Sequence, residues 1–108
     1  MLLKKNRASK KDIDKIFKEG RFFVSTNLTF KFIFIKNQKE PKISFIAPKN
    51  IAKLAVKRNL LRRKGYFVLK KYIKNVSPSV VGVFVFKKHQ EDVSVLENEI
   101  KNLLNKIN

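Results

Sequence analysis

The sequence predicts a single α+β domain over residues 1–108, in the order helix, strand, strand, strand, helix, strand, helix. Two observations favour this class. Segments rich in Phe, Val and Ile, which are typical of strands, alternate along the chain with a second kind of segment. In this second kind the apolar residues recur every three or four positions, which is typical of helices. In addition, 44% of the residues are hydrophobic and ten are Phe, which is too apolar a composition for a disordered basic tail.

The first helix is predicted over Lys10–Glu19. Ser9 can cap its first turn by accepting a hydrogen bond from a backbone N–H, and Asp12 stands in that turn near the positive end of the helix. Gly20 is expected to end the helix in the left-handed conformation. Three apolar residues share one face at helical spacing: Ile13, Ile16 and Phe17.

Extended chain is predicted next, over residues 22–35, because this segment is rich in β-branched and aromatic residues and lacks Gly and Pro. It forms either two strands or one long bent strand. A turn at residues 37–41 then leads to a strand over 42–47, which we expect to pair back on the preceding strand as a hairpin. Alternate residues of the extended segment share one face and are interpreted as core: Leu28, Phe30, Phe32 and Phe34.

The second half of the chain is predicted to hold a helix over about 54–74, an interior strand over 80–86 that is apolar on both faces, and a final helix. Gly65 weakens the long helix by about 1 kcal/mol relative to Ala. A strand, a helix and a buried strand in succession suggest a crossover that joins parallel strands. The final helix is expected to begin at a capping box, Ser94 with Glu97, and its apolar residues keep helical spacing: Leu96, Ile100, Leu103, Leu104 and Ile107.

The formal net charge of +18 is extreme for 108 residues and favours a polyanionic partner. Residues 41–90 hold 13 basic and no acidic side chains, whereas residues 91–108 are net acidic. We therefore expect the C-terminal segment to pack away from the polyanion. The sequence has no secretory signal at its start and no run of 18 apolar residues, so a cytoplasmic protein without a membrane partner is expected.

No pattern in the chain predicts a catalytic or metal site of its own. Cys is absent, the single His89 lies in a polar run, and only three Gly are present, too few for a Gly-rich phosphate loop. The eight acidic residues are scattered, and those that lie in pairs are explained by helix capping. We predict no catalytic residue, no protein-bound metal or cofactor and no small-molecule substrate.

The strongest functional pattern is the block Lys49–Lys74, which holds ten basic residues and no acid. Such a block could be a solvated helix face, but solvated faces usually mix charges to gain favourable pairs at i,i+4. Here Lys53 with Lys57, and Arg58 with Arg62, repel each other at that spacing. Binding of the phosphates of a polyanion would offset the repulsion, and the block therefore predicts a phosphate-binding helix.

Within this block, the sequence Lys-Arg-Asn-Leu-Leu-Arg-Arg-Lys at residues 57–64 resembles the signature helix of the bacterial ribonuclease P protein component, an Arg-Asn-Arg core followed by further basic residues. The opening helix up to Gly20, the strand at 83–88 and the C-terminal helix agree with this family in order and spacing. Two sites depart from it. Leu60 replaces the second Arg of the core, and Gly65-Tyr66 stand where the family usually has an apolar residue and another Arg.

The resemblance implies the protein subunit of a ribonucleoprotein in which the RNA subunit and Mg²⁺ remove the 5′ leader from precursor tRNA. It also implies an α/β sandwich with a left-handed β-α-β crossover, against the general right-handed rule. The implied contacts to the catalytic RNA are Lys49, Lys53, Lys57, Arg58, Asn59, Arg62, Arg63 and Lys64. The implied cleft for the leader is formed by Ile13, Phe17, Phe30 and Lys31.

Three alternatives remain open from the residues. A small basic ribosomal protein with a structural role explains the charge and size equally well, and a membrane-disrupting or DNA-compacting protein is a more distant one. The third concerns the aromatic residues, some of which could line an open sheet face where unpaired bases stack, instead of the core. The residues concerned are Phe17, Phe22, Phe23, Phe30 and Phe32.

Overall fold

The computed structural model describes residues 4–107. The expected lack of a secretory signal depends on the first few residues of the chain, and some of these lie outside the described range. The predicted order of helices and strands is confirmed. Short 3₁₀ turns occupy Lys4–Asn6 and Ile73–Asn75. The main elements are α1 (Lys10–Glu19), β1 (Arg21–Val24), β2 (Leu28–Phe34), β3 (Lys42–Ile46), α2 (Ala55–Tyr72), β4 (Val80–Phe86) and α3 (Val93–Asn105).

The four strands form one sheet in the order β1-β2-β4-β3. β2 is antiparallel to β1 on one side and to β4 on the other, so no edge of β2 is left for β3, and the predicted hairpin of β2 with β3 is wrong. The hairpin forms instead between β1 and β2. β3 is parallel to β4, which confirms the predicted crossover through α2. The left-handed sense expected of this crossover stays a prediction.

The sheet has a helix layer on each face. The larger core lies under α2 and α3, where the ring of Phe84 is 4.4 Å from that of Phe30 and 5.0 Å from that of Phe45, centroid to centroid. The smaller core lies under α1, where Ile16 packs on Val81 and Val83. β4 is thus covered on both sides, as its continuous apolar sequence predicts.

Two helix ends differ from the sequence prediction. Gly20 has φ −70° and ψ 151°, so it is extended and not left-handed. It is a glycine for another reason, since a Cβ there would lie 2.4 Å from the carbonyl oxygen of Ile16. α3 is capped by Asp92, whose carboxylate accepts from the N–H of Ser94 at 2.9 Å, because the helix begins one residue before the expected cap.

Gly65 allows α2 to pack closely on β3. A Cβ at this position would lie 2.5 Å from the ring of Phe45, which is itself buried in the larger core. The glycine that weakens the helix in isolation therefore stabilises the packed protein, because it brings the helix down onto the sheet.

We expect Gly65→Ala to destabilise the protein by about 1–3 kcal/mol through overpacking against Phe45, despite the higher helix propensity of Ala. Urea unfolding measures this. Lys70→Ala, on the exposed side of the same helix, is the control and should change the free energy of unfolding by less than about 0.5 kcal/mol. Stabilisation by Gly65→Ala would contradict the close contact.

Candidate RNA interface

α2 presents its apolar side to the sheet and α3, and its basic residues on its other sides. Leu61, Gly65, Val68 and Leu69 are buried. The family-implied RNA contacts all lie outside this buried stripe. Lys49, Lys53, Lys57, Asn59 and Arg63 are exposed, and Arg58, Arg62 and Lys64 are half-buried.

Arg58 has an architectural role in addition to the predicted contact with RNA. Its Nη1 donates to the backbone carbonyls of Ala52, at 3.0 Å, and Lys53, at 2.8 Å. Leu54, the residue before the helix, offers no side-chain cap. Arg58 thus fixes the loop that carries Lys49 and Lys53 against the first turn of α2, so replacing it would disturb more than one phosphate contact.

A second group of side chains surrounds an open groove of about 430 Å³ beside α2. Arg62 Nη2 donates to the Asn59 side-chain carbonyl, which fixes both groups at the rim. We call this site the arginine groove and define it by its lining residues: Arg7, Asn59, Arg62, Arg63, Tyr66 and Phe67. Sequence reasoning assigned no role to Arg7, Tyr66 or Phe67, because the approach of the N-terminal segment to α2 has no local sequence pattern.

Two acidic residues of the C-terminal segment lie beside the basic helix: Glu97, whose carboxylate is 3.3 Å from Lys71 Nζ, and Glu91. The Glu91 carboxylate is 3.9 Å from Lys64 Nζ and 4.0 Å from Lys57 Nζ, and the backbone carbonyl of Glu91 accepts from Lys64 at 2.8 Å. A hydrogen bond with His89 lowers the pKa of Glu91, and the two lysines lower it further against an opposing effect of desolvation. The expectation that the acidic C-terminal segment lies away from the basic helix is therefore wrong, because Glu91 and Glu97 both pair with lysines of α2 and α3 packs against that helix.

Glu91→Gln is expected to strengthen RNA binding by roughly two- to fivefold at pH 7, because the ionised carboxylate competes with phosphate for Lys57 and Lys64. The lowered pKa means that this competition persists down to pH values below the ordinary range of a Glu. Titration of labelled RNA with the two proteins measures the change. Asp92→Asn removes an adjacent charge that has no such ion pair among the described residues, and a gain equal to that of Glu91→Gln would show a general charge effect instead.

The predicted leader cleft lies on the other face of the sheet, beside α1. The Lys31 Nζ is 4.5 Å from the centre of the Phe17 ring, which is 48% exposed, and Ile13 is half-buried on the same helix. Phe30 is the exception. Its side chain points to the opposite face and is fully buried in the larger core, because residues alternate along β2 and only odd-numbered positions face α1.

The strands add further exposed apolar surface beside Phe17. Phe22 pairs with Lys31 across β1 and β2 and therefore points to the same face, where it is 62% exposed. Val24, two residues on, is also exposed on this face. The surface formed by Phe17, Phe22 and Lys31 is open to solvent, so α1 covers only part of the sheet face on which it packs.

Within residues 4–107 no three His, Asp or Glu side chains come together in a way that could hold a metal ion. The expectation that Mg²⁺ belongs to the RNA stays a prediction. None of the helices in this part of the chain has the length and apolar character needed to cross a membrane.

Comparison with known proteins identifies the fold. The family model described as "Ribonuclease P" matches residues 3–108. The RNase P protein of Thermotoga maritima superposes with a TM-score of 0.82 at 18% identity, covering 94% of this chain and 97% of that one. The RNase P protein of Staphylococcus aureus superposes with a TM-score of 0.78 at 15% identity, covering 93% and 92%. No sequence among the curated proteins matches significantly.

These matches extend over almost the whole chain, including the basic helix that carries the Arg-Asn pair and the sheet beneath it. At such low identity the solved structures establish the fold, and the family model establishes the membership. The chain belongs to the bacterial ribonuclease P protein family.

Proposed function

We propose that this chain binds the catalytic RNA of ribonuclease P through α2 and the 5′ leader of precursor tRNA through the surface beside α1, and so assists RNA-catalysed removal of the leader. The observation that carries the proposal is the division of the molecule into two different surfaces. One is dominated by Lys and Arg around α2, and the other combines aromatic rings with a lysine on the opposite face of the sheet.

The α2 surface suits a folded RNA. Ten basic residues and no acid occur between Lys49 and Lys74, and Arg62 and Arg63 present guanidinium groups that match phosphate geometry. The carboxylate of Glu91 is shared between Lys57 and Lys64 and can be displaced by a phosphate. Membership of the family implies this RNA partner.

The α1 surface suits a single strand. Exposed rings at Phe17 and Phe22 can stack with unpaired bases, and Lys31 beside Phe17 can contact the backbone. Stacking tolerates any base, as a protein that processes many different leaders requires. In this proposal the RNA and its Mg²⁺ carry out the cleavage, in the cytoplasm where tRNA is made.

Phe17→Ala is expected to weaken binding of leader-bearing precursor tRNA to the reconstituted holoenzyme by about tenfold, because one base no longer stacks on an aromatic ring. Binding of mature tRNA should be unchanged. Phe34→Ala is the matched control, because Phe34 is 53% exposed but points to the opposite sheet face. Equal losses of affinity for precursor and mature tRNA would contradict leader binding at this surface.

A further inference from the structure

The arginine groove contains a residue that comes from far along the sequence, Arg7. Both neighbours of Arg7 are hydrogen-bonded to β3 or to Pro41, the residue that precedes this strand. Asn6 Nδ2 donates to the carbonyl of Pro41 at 3.1 Å, and the N–H of Ala8 donates to Ser44 Oγ at 2.9 Å. Arg7 is therefore held at the sheet edge that α2 crosses, and its guanidinium is presented to the groove by a defined backbone.

Tyr66 forms the floor on which this guanidinium rests. The Arg7 Cζ lies 4.6 Å from the centre of the Tyr66 ring. The ring is itself anchored, because its hydroxyl accepts from the N–H of Phe45 at 3.1 Å and the two rings pack in a T-shaped arrangement with their centres 5.0 Å apart. Stacking on an anchored ring fixes the plane of the guanidinium, so less side-chain entropy is lost when it binds a planar array of oxygens.

The groove has positive charge without a counter-charge. Its lining includes three guanidinium groups and no carboxylate. The Nε of Arg7 is buried and, among residues 4–107, has no hydrogen-bond partner. Unpaired buried donors and clustered like charges both destabilise the free protein. An anion bound to the outer guanidinium nitrogens would offset the repulsion between these charges.

The other wall of the groove is aromatic. Phe67 is 58% exposed and lines the groove beside the three arginines, and Lys71 Nζ lies 5.5 Å from the centre of its ring. A volume of about 430 Å³ is large enough for a nucleotide, which needs far more room than a bare phosphate. Converging guanidinium groups can bind the phosphate of a nucleotide, and an adjacent exposed ring can stack on its base.

We propose that the arginine groove binds one unpaired nucleotide of the partner RNA, with Arg7 and Arg62 on its phosphate and Phe67 against its base. This inference rests on the proposed function and deepens it. It assigns to Arg7, in the N-terminal segment, a direct contact with the RNA that α2 binds. It also gives a role to Tyr66, which stands at a position where the family usually has Arg: Tyr66 supports the guanidinium of Arg7.

The test uses the full-length protein and its cognate catalytic RNA, with dissociation constants measured over a range of salt concentrations. Arg7→Ala should weaken binding by about tenfold and reduce the slope of log K against log salt by about 0.7–0.9, the value for one phosphate. Arg7→Lys keeps the charge and should restore the slope. Arg21→Ala, which removes an exposed arginine at the opposite edge of the sheet, should change both quantities much less.

Thermal unfolding of each variant separates binding from folding. A loss of affinity in Arg7→Ala with an unchanged salt slope would mean that Arg7 only packs on Tyr66, and would overturn the proposal. Equal effects of Arg7→Ala and Arg21→Ala would overturn it as well, because they would show a general effect of net charge. If the unmodified protein neither binds the RNA nor promotes cleavage, the proposed function itself fails, which is a distinguishable result.

Discussion

Replacing Arg62 and Arg63 together by Ala is expected to weaken binding to the catalytic RNA by at least about 100-fold, because each substitution removes a charge-assisted hydrogen bond worth roughly 1.5–3 kcal/mol. The salt dependence should also flatten by about 0.7–0.9 for each phosphate that the protein no longer neutralises. Neither side chain is fully buried, so the fold should be retained. Filter binding at several salt concentrations measures both effects.

The control for this pair is Lys101→Ala with Lys106→Ala. These substitutions remove the same charge from exposed positions in α3 and directly after it, a region that carries none of the family-implied contacts. The control should cost less than about tenfold in affinity, through the general electrostatic attraction alone. If both pairs weaken binding and flatten the salt slope equally, binding depends on net charge and not on α2. Arg58 is less suitable for the experiment because it also fixes the backbone before the helix.

Phe84→Ala is expected to destabilise the protein by about 3–5 kcal/mol, which is a large fraction of the roughly 5–15 kcal/mol typical of a domain. Phe84 is fully buried on the central strand and stacks with Phe30 on one side and Phe45 on the other. Its removal leaves a cavity that the neighbouring rings cannot fill without moving the strands on both sides. Urea unfolding measures the decrease in the free energy of unfolding.

Phe34→Ala is the control for this prediction as well, since Phe34 is on the same sheet face but 53% exposed. It should cost less than about 1 kcal/mol. A small effect of Phe84→Ala, comparable with that of Phe34→Ala, would contradict a core organised around Phe84.

The elements of the fold were predictable because their patterns are local. α1 shows why, since Ser9 caps the helix as predicted and the helix spans the predicted residues; Asp12 completes a capping box by accepting from the N–H of Ser9. The order of the strands was less accessible. β3 follows β2 closely in sequence, and a hairpin is the usual outcome, but β4 is apolar on both faces and takes the central position beside β2. The strand order depends on which strand must be covered on both faces of the sheet, and no local turn sequence determines this.

The candidate site was predictable to a similar extent. The block of Lys and Arg predicted α2 as the phosphate-binding helix, because charge composition can be determined from the sequence alone. The arginine groove was not, since Arg7 reaches Tyr66 only after the N-terminal segment has docked on β3. Phe30 was wrongly assigned to the leader cleft on the basis of the family resemblance, because adjacent residues of a strand such as Phe30 and Lys31 point to opposite faces and cannot line the same cleft.

The central claim is that the chain assists an RNA catalyst by binding both the RNA and the leader. The most direct test is cleavage of precursor tRNA by the cognate RNA at low Mg²⁺, with and without the protein, on substrates with a long leader and with a leader of a single nucleotide. The account predicts that the protein increases cleavage of both substrates and increases substrate affinity only for the long leader. A protein that changes neither the rate nor the leader-dependent affinity would contradict it.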